Sequence, residues 1–428
     1  MKKAYLQSLG CSRNLVDSEA IAGILEKKGY RLVDDAKKAD LLVLNTCGFL
    51  ESARIEAMEV ANEMLSMKKP SAEFVVTGCM VANHLSVFDS IKDSIDLFLR
   101  PGDLENIIEL LKEKAFPEDT YKNKSFLENE TTPRVVTTPR PYAYVKISEG
   151  CVKNCSYCII PKIKGPLRSK PLDLIVSECK SLIDSGVQEI ILIAQDLGDY
   201  GKDLGYINGL IQLISKILEI PDFFWLRLLY LYPDEINDDL IKIMKSDQRI
   251  CPYLDLPIQH VSDPILKKMK RNITNEDLIN LIPKLREEIP NIALRTSFIV
   301  GFPGETEEIF QELLDFIQKY PFDHIGVFPY SNEELSTSYS FPDQVDEKTK
   351  LDRQERLMLL QQQISQKRLE KMIGSVLDVF VEDYHPDSDL LLVGRSQFQC
   401  PEVDPVIILN DWEPVTEFGT LHKVEITG

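Results

Sequence analysis

The stretch "YAYVKISEGCVKNCSYCIIP", residues 142–161, opens as a strand-like apolar run and closes on three cysteines. Cys151, Cys155 and Cys158 stand four and three positions apart, and no further cysteine or histidine follows nearby. Structural zinc takes four protein ligands, and zinc held by three usually counts histidine or carboxylate among them. An iron–sulfur cubane is held by thiolates at its irons. Three thiolates on one loop would leave one iron open to a ligand from outside the protein.

Downstream, "EIILIAQD", "WLRLLYLYP", "YLDLPIQH", "ALRTSFIVGFP" and "HIGVFPYS" also read as strands. Helical patterns such as "LDLIVSECKSLIDSG" and "TEEIFQELLDFIQKY" separate them. Strands alternating with helices predict a parallel sheet. Six such units, short of the usual eight, predict a partial (β/α)6 barrel over residues 142–372, open on one side. Polar residues and glycines gather where the strands end: Glu149-Gly150-Cys151, Gln195-Asp196, Tyr232-Pro233-Asp234, Gln259-His260, Gly301 and Tyr330-Ser331. The C-terminal rim of such a barrel carries active sites, and the three-cysteine loop belongs to that rim. His260 is a candidate there for a substrate or cofactor contact.

Upstream, residues 1–115 predict a separate α/β domain with its own parallel sheet. Its runs "AYLQSLGC", "ADLLVLNTC" and "EFVVTGC" end at Cys11, Cys47 and Cys79. In a parallel sheet the strand C-termini share one edge, where ligands bind. One cysteine ending a strand is usually a small buried hydrophobe. Three of them, each closing a βα unit beside Gly or Thr, predict a second site. Residues 116–141 are polar, rich in proline and without periodicity, as a linker is. From Ile373 onward short strands such as "SVLDVFVEDY" and "LLLVGRSQF" predict a small all-β barrel over 373–428. Cys179, Cys251 and Cys400 lie outside both trios and are expected to be structural.

The chain has 428 residues, nine cysteines and a formal charge of −19. Free cysteines without an export signal point to a reducing compartment and to metal or catalytic chemistry rather than disulfides. No apolar run approaches the ~20 residues that span a bilayer, so a cytoplasmic protein without a membrane partner is expected. Beyond Ile373 eleven Asp and Glu face only Arg395 and Lys423. Gripping a nucleic-acid backbone calls for a basic face, so direct RNA binding is not expected. An acidic docking face for a basic partner is.

The C-x3-C-x2-C loop after a first strand, with Tyr157 before its last cysteine, resembles the radical S-adenosylmethionine superfamily. That resemblance implies a [4Fe–4S] cluster on Cys151, Cys155 and Cys158 whose open iron chelates S-adenosylmethionine. Electron transfer would then cleave the sulfonium to a 5′-deoxyadenosyl radical. It also implies cofactor contacts near Tyr157, at Gln195, and at Ile299 and Gly301 of "FIVGFPGE". The whole chain is similar to the methylthiotransferases, in which a first cysteine trio holds a second [4Fe–4S] cluster and a TRAM domain ends the chain. The implied reaction converts C–H to C–SCH3, with a sulfur source and an external electron donor.

Two branches of that family compete. "SLGCSRNLVDSE", "NTCGF" and "CPYLDLPIQH" look like the RimO-type branch, which modifies the β-carbon of an aspartate in small-subunit ribosomal protein twelve. Ser12-Arg13 stands where that branch usually has Pro-Lys, and Arg13 keeps the positive charge. The alternatives are a tRNA adenosine methylthiotransferase and, from another class, a non-catalytic iron–sulfur electron carrier or redox sensor.

Overall fold

The computed structural model describes residues 1–113, 125–139, 141–411 and 417–428. In the N-terminal region five strands, β1 (Lys3–Ser8), β2 (Arg31–Leu32), β3 (Leu41–Thr46), β4 (Glu73–Gly78) and β5 (Leu97–Leu99), form one parallel sheet in the order β2-β1-β3-β4-β5. Helices α1 (Ser12–Lys27) and α4 (Ile107–Glu113) cover one face, and α2 (Glu51–Met67) with the short α3 (Cys79–Asn83) covers the other. Every residue of the central strand β3 is buried, as expected for an apolar run sandwiched between helices.

The central region contributes β6 (Tyr142–Lys146), the two-residue ribbon β7 (Ser148–Glu149) and β8 (Arg168–Ser169), then β9 (Glu189–Ile193), β10 (Trp225–Leu228), β11 (Ile250–Asp255), β12 (Ala293–Val300) and β13 (His324–Pro329). The six long strands lie parallel in simple sequence order from β6 to β13, and those two edges do not pair. This is the open six-unit barrel expected from the sequence. Between β7 and β8 lies α5 (Ile160–Lys164). Its outer layer consists of α6 (Leu172–Asp184), α7 (Gly209–Leu218), α8 (Asp238–Ser246), α9 (Asp263–Lys268), α10 (Asn275–Glu288), α11 (Glu307–Lys319) and α12 (Glu347–Glu370). Ala143, Val145, Ile190, Leu192, Leu226 and Leu254 pack outward into the main core beneath those helices.

The alternate strand residues face the concave side, and there the other two regions fill the barrel. The C-terminal region is a four-stranded antiparallel sheet of β14 (Val376–His385), β15 (Ser388–Arg395), β16 (Ile407–Leu409) and β17 (Thr420–Glu425), ordered β16-β15-β14-β17. Its Phe380 and Cys400 join Tyr142, Tyr144, Trp225 and Tyr253 in one buried cluster, to which α1 adds Val16. The Trp225 and Phe380 rings meet edge-on at 4.3 Å. Glu189, fully buried on β9, accepts from Arg227 Nε at 2.6 Å and from Arg395 Nη2 at 2.8 Å. Tyr253 Oη donates to Asp404 at 2.7 Å. Strand positions that read as polar in sequence are therefore the seam with the C-terminal region.

A second buried ionic network joins the N-terminal region to the barrel. Lys146 on β6 contacts Asp17 of α1, with Glu128 at 3.3 Å and Glu149 at 3.4 Å. Glu19 of α1 binds Arg134 Nη2 at 2.6 Å, and Arg134 Nη1 reaches Glu178 of α6 at 2.6 Å. Within the stretch expected as a linker, residues 116–124 and 140 lie outside the described residues; residues 125–139 contribute Phe126, Glu128 and Arg134 to this seam. Burial alone would raise Glu128 and Glu149, but their lysine neighbours hold both well below the usual carboxylate range. Lys146→Met would leave Asp17, Glu128 and Glu149 buried with only Lys164 and Lys170 to offset three charges. A loss of about 3–5 kcal/mol is expected, read as a lower urea midpoint.

Among the described residues no helix is long and apolar enough to cross a membrane.

Candidate active site

The register of the N-terminal sheet sets its cysteines level. Ser8 pairs with Asn45, and Thr46 with Gly78, so β1, β3 and β4 end side by side. Cys11 caps α1, Cys47 follows β3 directly, and Cys79 opens α3. Close approach requires glycine at Gly10, where φ is +91° and a Cβ would sit 2.6 Å from Cys47 Cβ. Gly78, with φ +99°, likewise leaves no room, since a Cβ would lie 2.3 Å from the Thr46 carbonyl oxygen. Two buried asparagines brace this edge. Asn14 Nδ2 donates to the Leu9 carbonyl at 2.6 Å, and Asn45 Nδ2 to the Asn14 carbonyl at 2.9 Å.

The second trio lies on the loop between β7 and α5. Two of its sulfurs accept backbone N–H groups of their own loop, Cys151 from Lys153 and Cys158 from Ile160, each at 3.4 Å. Cys155 is buried and meets the Tyr232 hydroxyl at 3.2 Å. The loop is tied to the end of α9, where Ser156 donates its N–H to the Met269 carbonyl at 3.0 Å and its hydroxyl to Lys268 at 2.8 Å. Lys153, between two of the cysteines, reaches Glu235 at 2.6 Å, Asp196 at 3.4 Å and Asp199 at 3.5 Å. Burial, then the neighbouring Asp199, pushes Asp196 up to about 7. These carboxylates form a cradle for ammonium groups, and Lys202 enters it too, 2.6 Å from Asp199.

Charged side chains tie the N-terminal sheet edge to the barrel. Arg13, two residues after Cys11, donates to the Ala194 carbonyl just past β9 at 2.6 Å, with its guanidinium 5.0 Å from the Tyr230 ring. Lys164, ending α5, lies buried 3.4 Å from both Asp17 and Glu149. Cys11 is exposed, and although the protein around it partly desolvates the thiol, Arg13, the Asn14 N–H and Lys164 bring it below the usual thiol range. Burial pushes Cys79 and Cys158 up to about 12 and Cys151 to about 11. All nine cysteines are free thiols. Neither trio has its three sulfurs within 4.8 Å of one another. A single tetrahedral ion with bonds of about 2.3 Å would draw them within ~4 Å. The donor sets suit a cluster with several irons.

The residues expected around the cofactor divide. Tyr157 and Ile299 pack into one small apolar cluster with Met269, Phe302 and Tyr330 beside the second trio. Gly301, with φ +73°, ends β12 and donates its N–H to Glu305 at 2.8 Å. Gln195 donates to Glu149, and its carbonyl oxygen has no partner. His260 is fully buried, its Nδ1 accepting from Ser262 N–H at 3.0 Å and its Nε2 3.7 Å from Glu305. It supports the turn after β11. Burial, then Arg353, lowers it to about 3, so it stays neutral. Cys179 lies in the main core, and Cys251 and Cys400 in the cluster under the barrel. The sequence reading missed Arg271, Lys153 and the asparagine braces. Tyr232 was visible as a rim residue, whereas nothing in the local pattern marked Arg271.

Three profiles match successive parts of the chain: Uncharacterized protein family UPF0004 over residues 3–100, the Radical SAM superfamily over 145–317 and a TRAM domain over 373–428. Among solved structures, a radical S-adenosylmethionine methyltransferase, TsrM from Kitasatospora setae, aligns with a TM-score of 0.59 at 14% identity, covering 92% of this chain and 77% of that one. Fold and site thus define a radical S-adenosylmethionine enzyme, a class that works with a [4Fe–4S] cluster and S-adenosylmethionine. The ribosomal protein uS12 methylthiotransferase RimO of Protochlamydia amoebophila strain UWE25 is 52% identical, over 98% of this chain and 89% of its own length. RimO of Clostridioides difficile strain 630 is 40% identical, over 100% and 96%. The chain belongs to the RimO family of methylthiotransferases.

Proposed function

We propose that the protein replaces a C–H bond with C–SCH3 at the β-carbon of an aspartate in ribosomal protein uS12. The observation that carries this reading is the pair of cysteine trios, one at the edge of the N-terminal sheet and one on the barrel rim, with Arg13 beside the first bonded to Ala194 at the end of β9. Cys151, Cys155 and Cys158 would hold the cluster that binds S-adenosylmethionine, and Cys11, Cys47 and Cys79 a second cluster that carries the sulfur. When bound, the first cluster and S-adenosylmethionine supply one-electron chemistry, which is needed because such a hydrogen is too weakly acidic for any side-chain base.

The chain's own residues orient and enclose these groups. Arg13 ties the N-terminal region to the barrel rim through the Ala194 carbonyl. Tyr157, Ile299 and Gly301 would contact the adenine side of S-adenosylmethionine. Gln195, held by Glu149, would offer its unpaired carbonyl oxygen to the cofactor. Enclosure keeps water from reactive groups. We assign the catalytic unit to 1–115 and 142–372, joined by 116–141.

Residues 373–428 would dock the substrate. Lys423 pairs with Asp378, and Arg395 is buried between Glu189 and Glu382. Asp383, Asp387, Asp389 and Glu425 remain exposed. A surface with this balance attracts a basic ribosomal protein and repels tRNA. The setting is the cytoplasm, with an external electron donor and sulfur source. The test incubates reduced, reconstituted enzyme with S-adenosylmethionine, sulfide and either uS12 or tRNA. A methylthio mass increase on one aspartate of uS12 is expected; modification of tRNA with uS12 untouched would overturn the reading.

A further inference from the structure

Arg271 is a buried guanidinium, 6% exposed, and among the described residues no carboxylate lies within 4.0 Å of it. Its Nη2 donates to the Pro257 carbonyl at 2.5 Å, while its buried Nη1 has no hydrogen-bond partner. Burying a cation without a counter-charge is costly. The guanidinium lies 3.8 Å from the centroid of the Tyr232 ring, and the hydroxyl of that ring meets Cys155 Sγ at 3.2 Å. Cys151 and Cys158 accept only from backbone N–H groups of their own loop. Cys155 is the trio member approached by a side-chain hydroxyl with a cation stacked behind it.

The arrangement is held from both ends. Lys270 adopts φ +58°, turning the chain at the end of α9 so that the Arg271 N–H returns to the Leu266 carbonyl at 2.9 Å. The carbonyls of Lys268 and Met269 in that same turn hold Ser156 of the cysteine loop. Sulfur and cation are thus parts of one braced unit.

We propose that Tyr232 and Arg271 set the reduction potential of the cluster on Cys151, Cys155 and Cys158, acting as positioning residues through the Cys155 sulfur. Once Cys155 is a thiolate ligand, only the tyrosine can donate in that contact. Reduction adds one electron from an external low-potential one-electron donor, with no proton taken up and no bond broken, and leaves the cluster and its thiolates more negative. A hydroxyl donor and a buried cation beside a ligand sulfur stabilise that reduced state and raise the potential. The cluster in turn supplies the anion that Arg271 lacks. The proposal rests on the cluster assignment alone and not on the identity of the substrate.

The test is a dithionite titration of the reconstituted holoenzyme followed by electron paramagnetic resonance. The radical cluster is identified as the signal that changes when S-adenosylmethionine is added. Tyr232→Phe and Arg271→Gln are each expected to move its midpoint to more negative potential. At the wild-type midpoint their reduced-to-oxidised ratio should fall about tenfold, and Arg271→Lys should recover part of that loss. Unchanged midpoints with wild-type iron content would overturn the proposal. Should Arg271→Gln bind no iron, Tyr232→Phe decides, since it removes one hydroxyl and leaves the ring under the guanidinium. A wild-type protein with no signal sensitive to S-adenosylmethionine would overturn the cluster assignment itself, a different outcome from an unshifted midpoint.

Discussion

Replacing Cys151 by alanine is expected to abolish reductive cleavage of S-adenosylmethionine, lowering the rate at least about 10⁴-fold, as when one member of a unit that acts together is removed. The three cysteines come from one loop whose sulfurs are fixed by N–H donors and by Tyr232. No substitute ligand is at hand: Cys179 is enclosed in the main core, and Cys251 and Cys400 lie in the cluster under the barrel. His260 is fully buried and committed to Ser262. The measurement is 5′-deoxyadenosine formed per enzyme under reducing conditions, with iron counted on the same sample. Iron should fall by about half if each trio holds one cluster of the same size. Cleavage persisting in Cys151→Ala would show that this loop does not hold the cluster.

Replacing Cys47 by alanine separates the two sites. Cys47 sits between Cys11 and Cys79 at the sheet edge and packs against Gly10. Its loss should remove the second cluster and lower methylthio product at least about 10³-fold. Cleavage of S-adenosylmethionine should continue, uncoupled from sulfur transfer, because the barrel loop keeps its own ligands and its own anchor on α9. The two assays run on one preparation distinguish this from misfolding, which would end both. Product formed at the wild-type rate would show that the N-terminal trio does not carry the transferred sulfur.

Much of this architecture is legible in the sequence because it is written in short-range patterns. The spacing of Cys151, Cys155 and Cys158 is local, and so is the position of Cys11, Cys47 and Cys79 at the ends of apolar runs. Parallel strands then force those three cysteines to one edge, since every strand of such a sheet ends on the same side. The six-unit barrel and the small antiparallel C-terminal sheet follow from periodicity in the same way.

Other features had no local signature. His260 reads as a rim residue, yet it is fully buried against Ser262 and Glu305, because position on a strand end does not reveal which way a turn folds back. Lys146, Glu189 and Arg227 are charged residues within strand runs, and each is fully buried in a polar seam with another region of the chain. The acidic C-terminal region reads as one acidic face, but Asp404 is spent against Arg295 of the barrel and Glu382 against the region's own Arg395, leaving a smaller outward-facing set. By itself the sequence pointed to two cysteine trios, the parallel sheets of the first two regions and the class of chemistry. Only the tertiary structure decided what covers the barrel's concave face, that Arg13 and Lys164 tie the N-terminal region to the barrel, and that Tyr232 and Arg271 lie behind Cys155. Periodicity specifies which side of its own element a residue faces. What it meets on that side depends on chain segments more than a hundred residues away.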